Sequence, residues 1–271
     1  MRGEFLDLGG TSLYYYAAGT RGAGEPIVCL HGFPASGHLW SSVVPLLPEG
    51  HRVVVLDLLG YGRSDRPLGR GLGIAAHAAR VTAVLDELRI GRACLVGHGL
   101  GGAVAQVLAL RYPTRVSRLC LVNSMAFGQS GASARVARLV RPLAPHVPPR
   151  TLIAMVRRRM QRGYADPSRA VRSIDLYLRP FAGPDGHAAL LEHIAACDEA
   201  LLPTSSDLAR VTAPTVVVRG AVDGSDESSA DFRLVRSIPG ATLVPISGAR
   251  RFTPEEAPRP VADAIAALLA R

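Results

Sequence analysis

Along the chain, short unbroken apolar runs alternate with stretches whose apolar residues return every three or four positions. The runs at 13–18, 27–30, 53–56, 94–96, 119–122, 215–219 and 242–246 are rich in Val, Leu and Ile and predict strands. Most carry no polar alternation, so both of their faces are expected to be covered, which is the signature of a parallel sheet between helical layers. The helical spacing at 39–47, 75–88, 100–111 and 261–269 predicts the helices that cover it. Strand and helix taking turns in this way imply a doubly wound, mostly parallel α/β sheet. From 125 to 204 the texture changes to an Arg- and Pro-rich stretch of helical pattern without strand signals. Residues 1–124 and 205–271 therefore read as one α/β core, and 125–204 as a helical cap inserted over the C-terminal edge of the sheet.

Composition adds little to that picture and removes several alternatives. The chain has 271 residues and a formal net charge of +9, with every basic residue an Arg. Without a compact basic stripe or interleaved aromatics, that charge reads as codon bias and not as a phosphate-binding surface, so no nucleic-acid partner is expected. The longest apolar run, 93–110, is broken by His98, Gln106 and four glycines, and reads as strand, turn and helix instead of a membrane span. Cys29, Cys94 and Cys120 lie inside strand runs without paired spacing, as buried thiols of a cytoplasmic protein would. No metal-ligand spacing, P-loop or dinucleotide fingerprint is present, so neither metal nor cofactor is expected.

The chemistry sits in three turns. Val28-Cys29-Leu30-His31-Gly32-Phe33-Pro34 runs from a strand into a His-Gly turn, and Asp57-Leu58-Leu59-Gly60-Tyr61-Gly62-Arg63-Ser64-Asp65 follows the next strand. Leu95-Val96-Gly97-His98-Gly99-Leu100-Gly101-Gly102 follows the one after and opens a helix. Together and in this order they resemble the α/β-hydrolase superfamily, in particular its cap-bearing haloalkane dehalogenase, epoxide hydrolase and esterase branch, over nearly the whole chain. The third turn corresponds to the family's nucleophile elbow, G-x-nucleophile-x-G. Here its centre is Gly99, which has no nucleophilic atom.

The resemblance places the other members of the catalytic triad by position. Asp223 falls in the acid slot after the 215–219 strand, with Asp226 as a weaker substitute. Arg251 falls where the family carries its general-base histidine, and a guanidinium stays protonated at any working pH. Asp223 and Arg251 are expected either to pair as ions or to leave Asp223 as the remaining base. What the family's oxyanion hole needs is retained, because it consists of backbone amides: those of Phe33 and Leu100 here. His31 is expected to order its loop. His98, next to the elbow centre, is a candidate for proton transfer and equally a packing residue. Asn123, Trp40, Phe127, Tyr164 and Tyr177 are candidates for lining a small-molecule site over Gly99, and each reads equally well as packing.

With nucleophile and base both replaced, the expected function is a pseudo-hydrolase of the cyclase, lyase or isomerase type in specialised metabolism, working through the amide cradle without a covalent intermediate. Two alternatives stand beside it: a silent small-molecule-binding protein, and a hydrolase whose nucleophile is not evident from the motifs.

Overall fold

The computed structural model describes residues 3–19, 24–69, 71–127, 146–183, 185–196, 202–221 and 230–271. Eight strands form one sheet: β1 (Gly3–Asp7), β2 (Ser12–Ala18), β3 (Ile27–Leu30), β4 (Val53–Leu56), β5 (Ala93–His98), β6 (Val116–Val122), β7 (Thr215–Gly220) and β8 (Thr242–Ile246). Their spatial order is β1-β2-β4-β3-β5-β6-β7-β8. The first two strands join antiparallel, and everything from β4 to β8 is parallel. β3, β4 and β5 are buried at every position, as their unbroken apolar runs require. Cys29, Cys94 and Cys120 are buried and unbridged, and burial raises all three thiols, Cys94 to about 12.

The helices of the core are α1 (Ile74–Glu87) and α2 (Leu100–Arg111). Between Pro149 and Ala196 come three more: α3 (Pro149–Gln161), α4 (Val171–Leu178) and α5 (Gly186–Ala196). Four close the chain: α6 (Ser205–Leu208), α7 (Ala230–Ser237), α8 (Thr253–Glu256) and α9 (Pro258–Leu269). α2 packs against β5 and β6, and α9 against β6 and β7. No helix among the described residues is long and apolar enough to cross a membrane.

Two local expectations give way. The single helix expected over 39–47 is two short 3-10 turns, Gly37–Trp40 and Val44–Leu46, because Pro45 has no N–H to continue a helix through that point. β1 is an additional strand, hard to see in a pattern because it is an edge: Phe5 is 61% exposed and meets Tyr14 edge-on across the pair.

The segment α3–α5 is riveted to turns at the C-terminal ends of the strands. Glu255 accepts hydrogen bonds from the hydroxyls of Tyr164, at 2.9 Å, and Tyr177. Glu256 accepts from the amides of Ala165 (2.5 Å) and Arg250 (2.8 Å), and the Arg251 amide donates to the Gly163 carbonyl at 2.8 Å. The Tyr164 ring stacks on Phe252 at 4.2 Å. On the other side, His193 of α5 donates through Nε2 to the Gly60 carbonyl at 3.0 Å.

Candidate active site

The elbow turns on one residue. β5 ends at His98 and α2 starts at Leu100, leaving Gly99 between them at φ 52° and ψ −117°. A side chain in this backbone region costs about 1–3 kcal/mol and persists only where the surroundings impose it. The neighbouring glycines show that imposition. A Cβ on Gly97 would stand 2.5 Å from the Gly101 carbonyl oxygen, one on Gly101 would strike the Leu30 carbonyl, and one on Gly102 would strike the Ser124 hydroxyl. Gly99 differs from all three. The nearest atom to a Cβ there is the Gly32 Cα at 3.4 Å, ordinary contact distance, so the position a catalytic side chain would take is sterically open.

The His-Gly turn borders that space. His31 Nε2 accepts from the Leu58 amide at 3.0 Å, and Nδ1 donates to the Gly32 carbonyl at 2.9 Å. Both ring nitrogens are thereby used within the protein. Burial lowers the His31 pKa, against an opposing pull from Asp57. This imidazole holds loop to loop and has no nitrogen left for a substrate. Asp57 is itself spent on backbone, accepting from the amides of Gly37 (2.6 Å) and Arg63 (2.8 Å). Among the described residues, neither the Phe33 nor the Leu100 amide donates to a protein acceptor. The Leu100 amide also lies at the N-terminus of α2, where the helix dipole favours negative charge.

On the base side, the loop after β8 does face the elbow. The Arg251 carbonyl accepts from His98 Nε2 at 2.7 Å, while the Arg251 side chain is exposed. A carbonyl only accepts, so Nε2 carries the proton and Nδ1 is a bare acceptor, buried without a partner. Burial pushes the His98 pKa down to about 4, which keeps the ring neutral at ordinary pH. Gly32 is needed here as well, since a Cβ on it would come within 2.8 Å of His98 Nδ1. His98 thus fastens the base-slot loop to the elbow. Asn123, at φ 42°, performs a similar joint: its Oδ1 accepts from Thr253 Oγ1 at 2.5 Å, and its amide donates to the Val218 carbonyl at 2.9 Å.

Asp223 lies outside the described residues, and with it the pair expected with Arg251. The carboxylate that the structure places within the field of Arg251 is Asp231, at the start of α7. Its Oδ2 is 3.8 Å from Arg219 Nε at the end of β7, its Oδ1 is buried without a partner, and burial raises its pKa to about 6 despite both arginines. Sequence reading passed over it because Asp223 stands where the motif expects an acid.

The aromatic candidates do not form one group. Trp40 is fully buried in the core. Tyr164 and Tyr177 are buried with their hydroxyls on Glu255, which with burial raises both well above the ordinary phenol range. Phe127, at φ 55°, is covered by the Arg233 guanidinium at 4.0 Å. The ring that does meet the oxyanion loop is one the motifs did not suggest. His193 packs at a tilt against Tyr61 (4.1 Å) and stands 6.5 Å from Phe33, which itself meets Tyr61 edge-on at 6.3 Å. Among the described residues no group of three or more His, Cys, Asp or Glu side chains is arranged to hold a metal.

Comparison with known proteins gives a consistent result. A family model described as the alpha/beta hydrolase fold matches residues 25–192. The solved structure of Cfl2 from Burkholderia cenocepacia is 30% identical, covering 97% of this chain and 94% of its own, with a TM-score of 0.79. A hydrolase from Pseudomonas aeruginosa is 26% identical over 99% and 98%, at TM-score 0.82. A fluoroacetate dehalogenase from Burkholderia sp. is 38% identical over 81 residues, 28% of this chain and 27% of that protein. The chain matches the curated relatives over only about a quarter to a third of their length.

Two of these are named as a hydrolase and a dehalogenase, and they overturn the expectation of a non-hydrolytic cyclase, lyase or isomerase in specialised metabolism. The physical error lay in equating loss of a nucleophilic side chain with loss of hydrolysis. Hydrolysis requires an attacking oxygen, which water can supply, and an amide cradle serves a tetrahedral oxyanion as well as an enolate.

Proposed function

Because the chain belongs to the alpha/beta hydrolase fold family, we propose that it hydrolyses a small carbonyl substrate, an ester or a lactone, by direct attack of a water molecule seated over Gly99. The observation that carries this reading is the elbow itself: a turn at positive φ, an open position where a side chain would be, and two amides without protein acceptors among the described residues. The chemistry of the cradle selects among the reactions of the relatives. Displacing halide from a saturated carbon develops no oxyanion for the amides to hold, and it needs a carboxylate that Gly99 lacks. Attack on a carbonyl develops that charge at the oxygen.

Each residue then has a task. The Phe33 and Leu100 amides bind the developing oxyanion, and a preorganised donor of this kind contributes about 3 kcal/mol. Asp223, in the acid slot that the family resemblance assigns to the sequence after 215–219, takes the proton from water. Arg251 holds that carboxylate ionised or binds the acid product. His31, His98 and Asn123 keep the three loops in register. The helices between Pro149 and Ala196 act as a cap that confines an apolar small molecule and excludes bulk solvent. Without covalent catalysis such a site retains about 10³–10⁴ over the uncatalysed reaction, so a slow enzyme is expected.

The test is turnover of p-nitrophenyl acetate, p-nitrophenyl butyrate and γ-butyrolactone in H₂¹⁸O. Linear product formation without a burst, no labelling by a fluorophosphonate, and one ¹⁸O in every acid product of the first turnover are expected. No turnover above buffer across the panel, or an acyl adduct on any side chain detected by mass spectrometry, overturns the proposal.

A further inference from the structure

His193 is the most completely enclosed contact between the cap and the core. Its ring is wholly buried on α5, lies on Tyr61 at 4.1 Å, meets Phe181 edge-on at 5.5 Å, and donates Nε2–H to the Gly60 carbonyl at 3.0 Å. The seat is shaped for it: Gly60 sits at φ 90°, and a Cβ there would collide with His193 Cε1. One residue earlier, Glu192 accepts from the Gly69 amide at 2.8 Å, so consecutive residues grip the same loop. Through Tyr61 and Phe33 this grip reaches the oxyanion loop.

The other ring nitrogen, Nδ1, is a bare acceptor, buried and without a partner. The groups around it are poorly suited to a second proton. The turn after β4 brings Arg66, the turn after β3 brings His31, and α1 brings His77 with Arg80 beside it. His77 Nε2 is likewise buried and unpartnered. Of the carboxylates, Glu192 is engaged with Gly69 and Asp57 with the amides of Gly37 and Arg63. We propose that His193 is the catch that holds the cap shut over the oxyanion loop, and that protonation of its Nδ1 releases it. The catch is a positioning device, since the ring fastens Gly60 and Tyr61 and leaves the chemistry to other groups. Burial, chiefly, lowers the His193 pKa to about 4, so the closed catch is neutral at ordinary pH.

A ring that titrates near 6.5 when free and near 4 when seated makes release about 30-fold more favourable at pH 5 than at pH 7.5. Hydrogen exchange of the full-length protein, corrected for intrinsic rates, reads this directly. Opening of α5, faster than the global exchange read from α2, should rise about 30-fold between pH 7.5 and pH 5. In His193→Gln, whose amide N–H can still reach Gly60 but does not titrate, that local rise should disappear. Gly60→Ala, which denies the ring its seat, should leave α5 poorly protected at pH 7.5 with no further rise at pH 5. Exchange of α5 no faster than that of α2 at either pH, a local acid rise that survives in His193→Gln, or a closed α5 in Gly60→Ala overturns the catch. Exchange needs no substrate, so failure here leaves the hydrolytic reading standing, and failure of that reading leaves the catch standing.

Discussion

Replacing Gly99 by Ser and, in parallel, by Ala separates the roles of backbone, space and hydroxyl at the elbow. Either side chain must enter at φ 52° and ψ −117°, which costs about 1–3 kcal/mol for a non-glycine residue. Part of that returns through the unfolded chain, because losing a glycine stabilises by about 0.4–1 kcal/mol. No steric term is added, since the new Cβ meets only the Gly32 Cα at 3.4 Å. The net expectation is a loss of about 1–2 kcal/mol, nearly equal in the two variants, or roughly 2–8 °C in melting temperature. Both side chains occupy the place assigned to the attacking water, so turnover of the p-nitrophenyl esters should fall at least about 10²-fold in each. The serine should not rescue itself, because Arg251 cannot deprotonate it. Urea unfolding, the ester assay and fluorophosphonate labelling of the three proteins together form the test. Variants as stable as the parent would refute the strain argument. An acyl-enzyme burst in Gly99→Ser would refute the assignment of Asp223 to a water molecule and not to a serine hydroxyl.

Acid should weaken the whole protein. His77, His98 and His193 are held neutral by burial, at about 3, 4 and 4 against 6.5 when exposed. Below pH 6.5 the unfolded chain takes up their protons first, so their contribution is complete above that pH and drains away toward the native values. At pH 5 this amounts to about 2 kcal/mol for each. Asp231 acts in the opposite sense, its raised value near 6 returning about 1 kcal/mol at the same pH. The net loss is about 4–5 kcal/mol between pH 7.5 and 5, measured as a fall in the urea midpoint; an unchanged midpoint would refute it. Gly97→Ala forces a methyl to within about 2.5–2.7 Å of Gly101 and Gly102 backbone atoms, and should cost about 3 kcal/mol or more in the same assay.

How far the fold could be read from the chain depended on how local each cause was. β3 to β7 were legible because a strand buried on both faces leaves an unbroken apolar run. The elbow was legible because the close approaches at Gly97, Gly101 and Gly102 leave three glycines within one short stretch of sequence. β1 and the 39–47 turns were missed where the deciding facts were an exposed edge and a single missing N–H. The joints between the α3–α5 segment and the turns of the sheet were not legible at all. Glu255 meets Tyr177 across 78 residues, and His193 meets Gly60 across 133. Nothing in the local pattern around Glu255 or His193 marks them, since each looks like one more polar position on a helix. Asp231 illustrates a different failure, in which a motif supplied an acid and the neighbouring carboxylate went unconsidered.

The shape of the turn at Gly99 follows from its neighbours. The Gly99 carbonyl accepts from the amides of Gly102, Ala103 and Met125, and the Gly99 amide donates to the Val122 carbonyl. After it Gly101 and Gly102 are pressed against Leu30 and Ser124, and before it Gly97 is pressed against Gly101 and Gly102, by contacts that admit only glycine. Residue 99 is therefore held by its neighbours and does not set its own conformation, and glycine relieves the strain without freeing the turn. The same neighbours fix the direction of the Leu100 amide, because that amide belongs to the peptide between residues 99 and 100. A side chain introduced at 99 should leave the cradle where it is. Loss of turnover in Gly99→Ala consequently reports that a methyl has filled the water's place, and the unchanged position of the Leu100 N–H, read by amide NMR shifts, separates that cause from a displaced oxyanion hole.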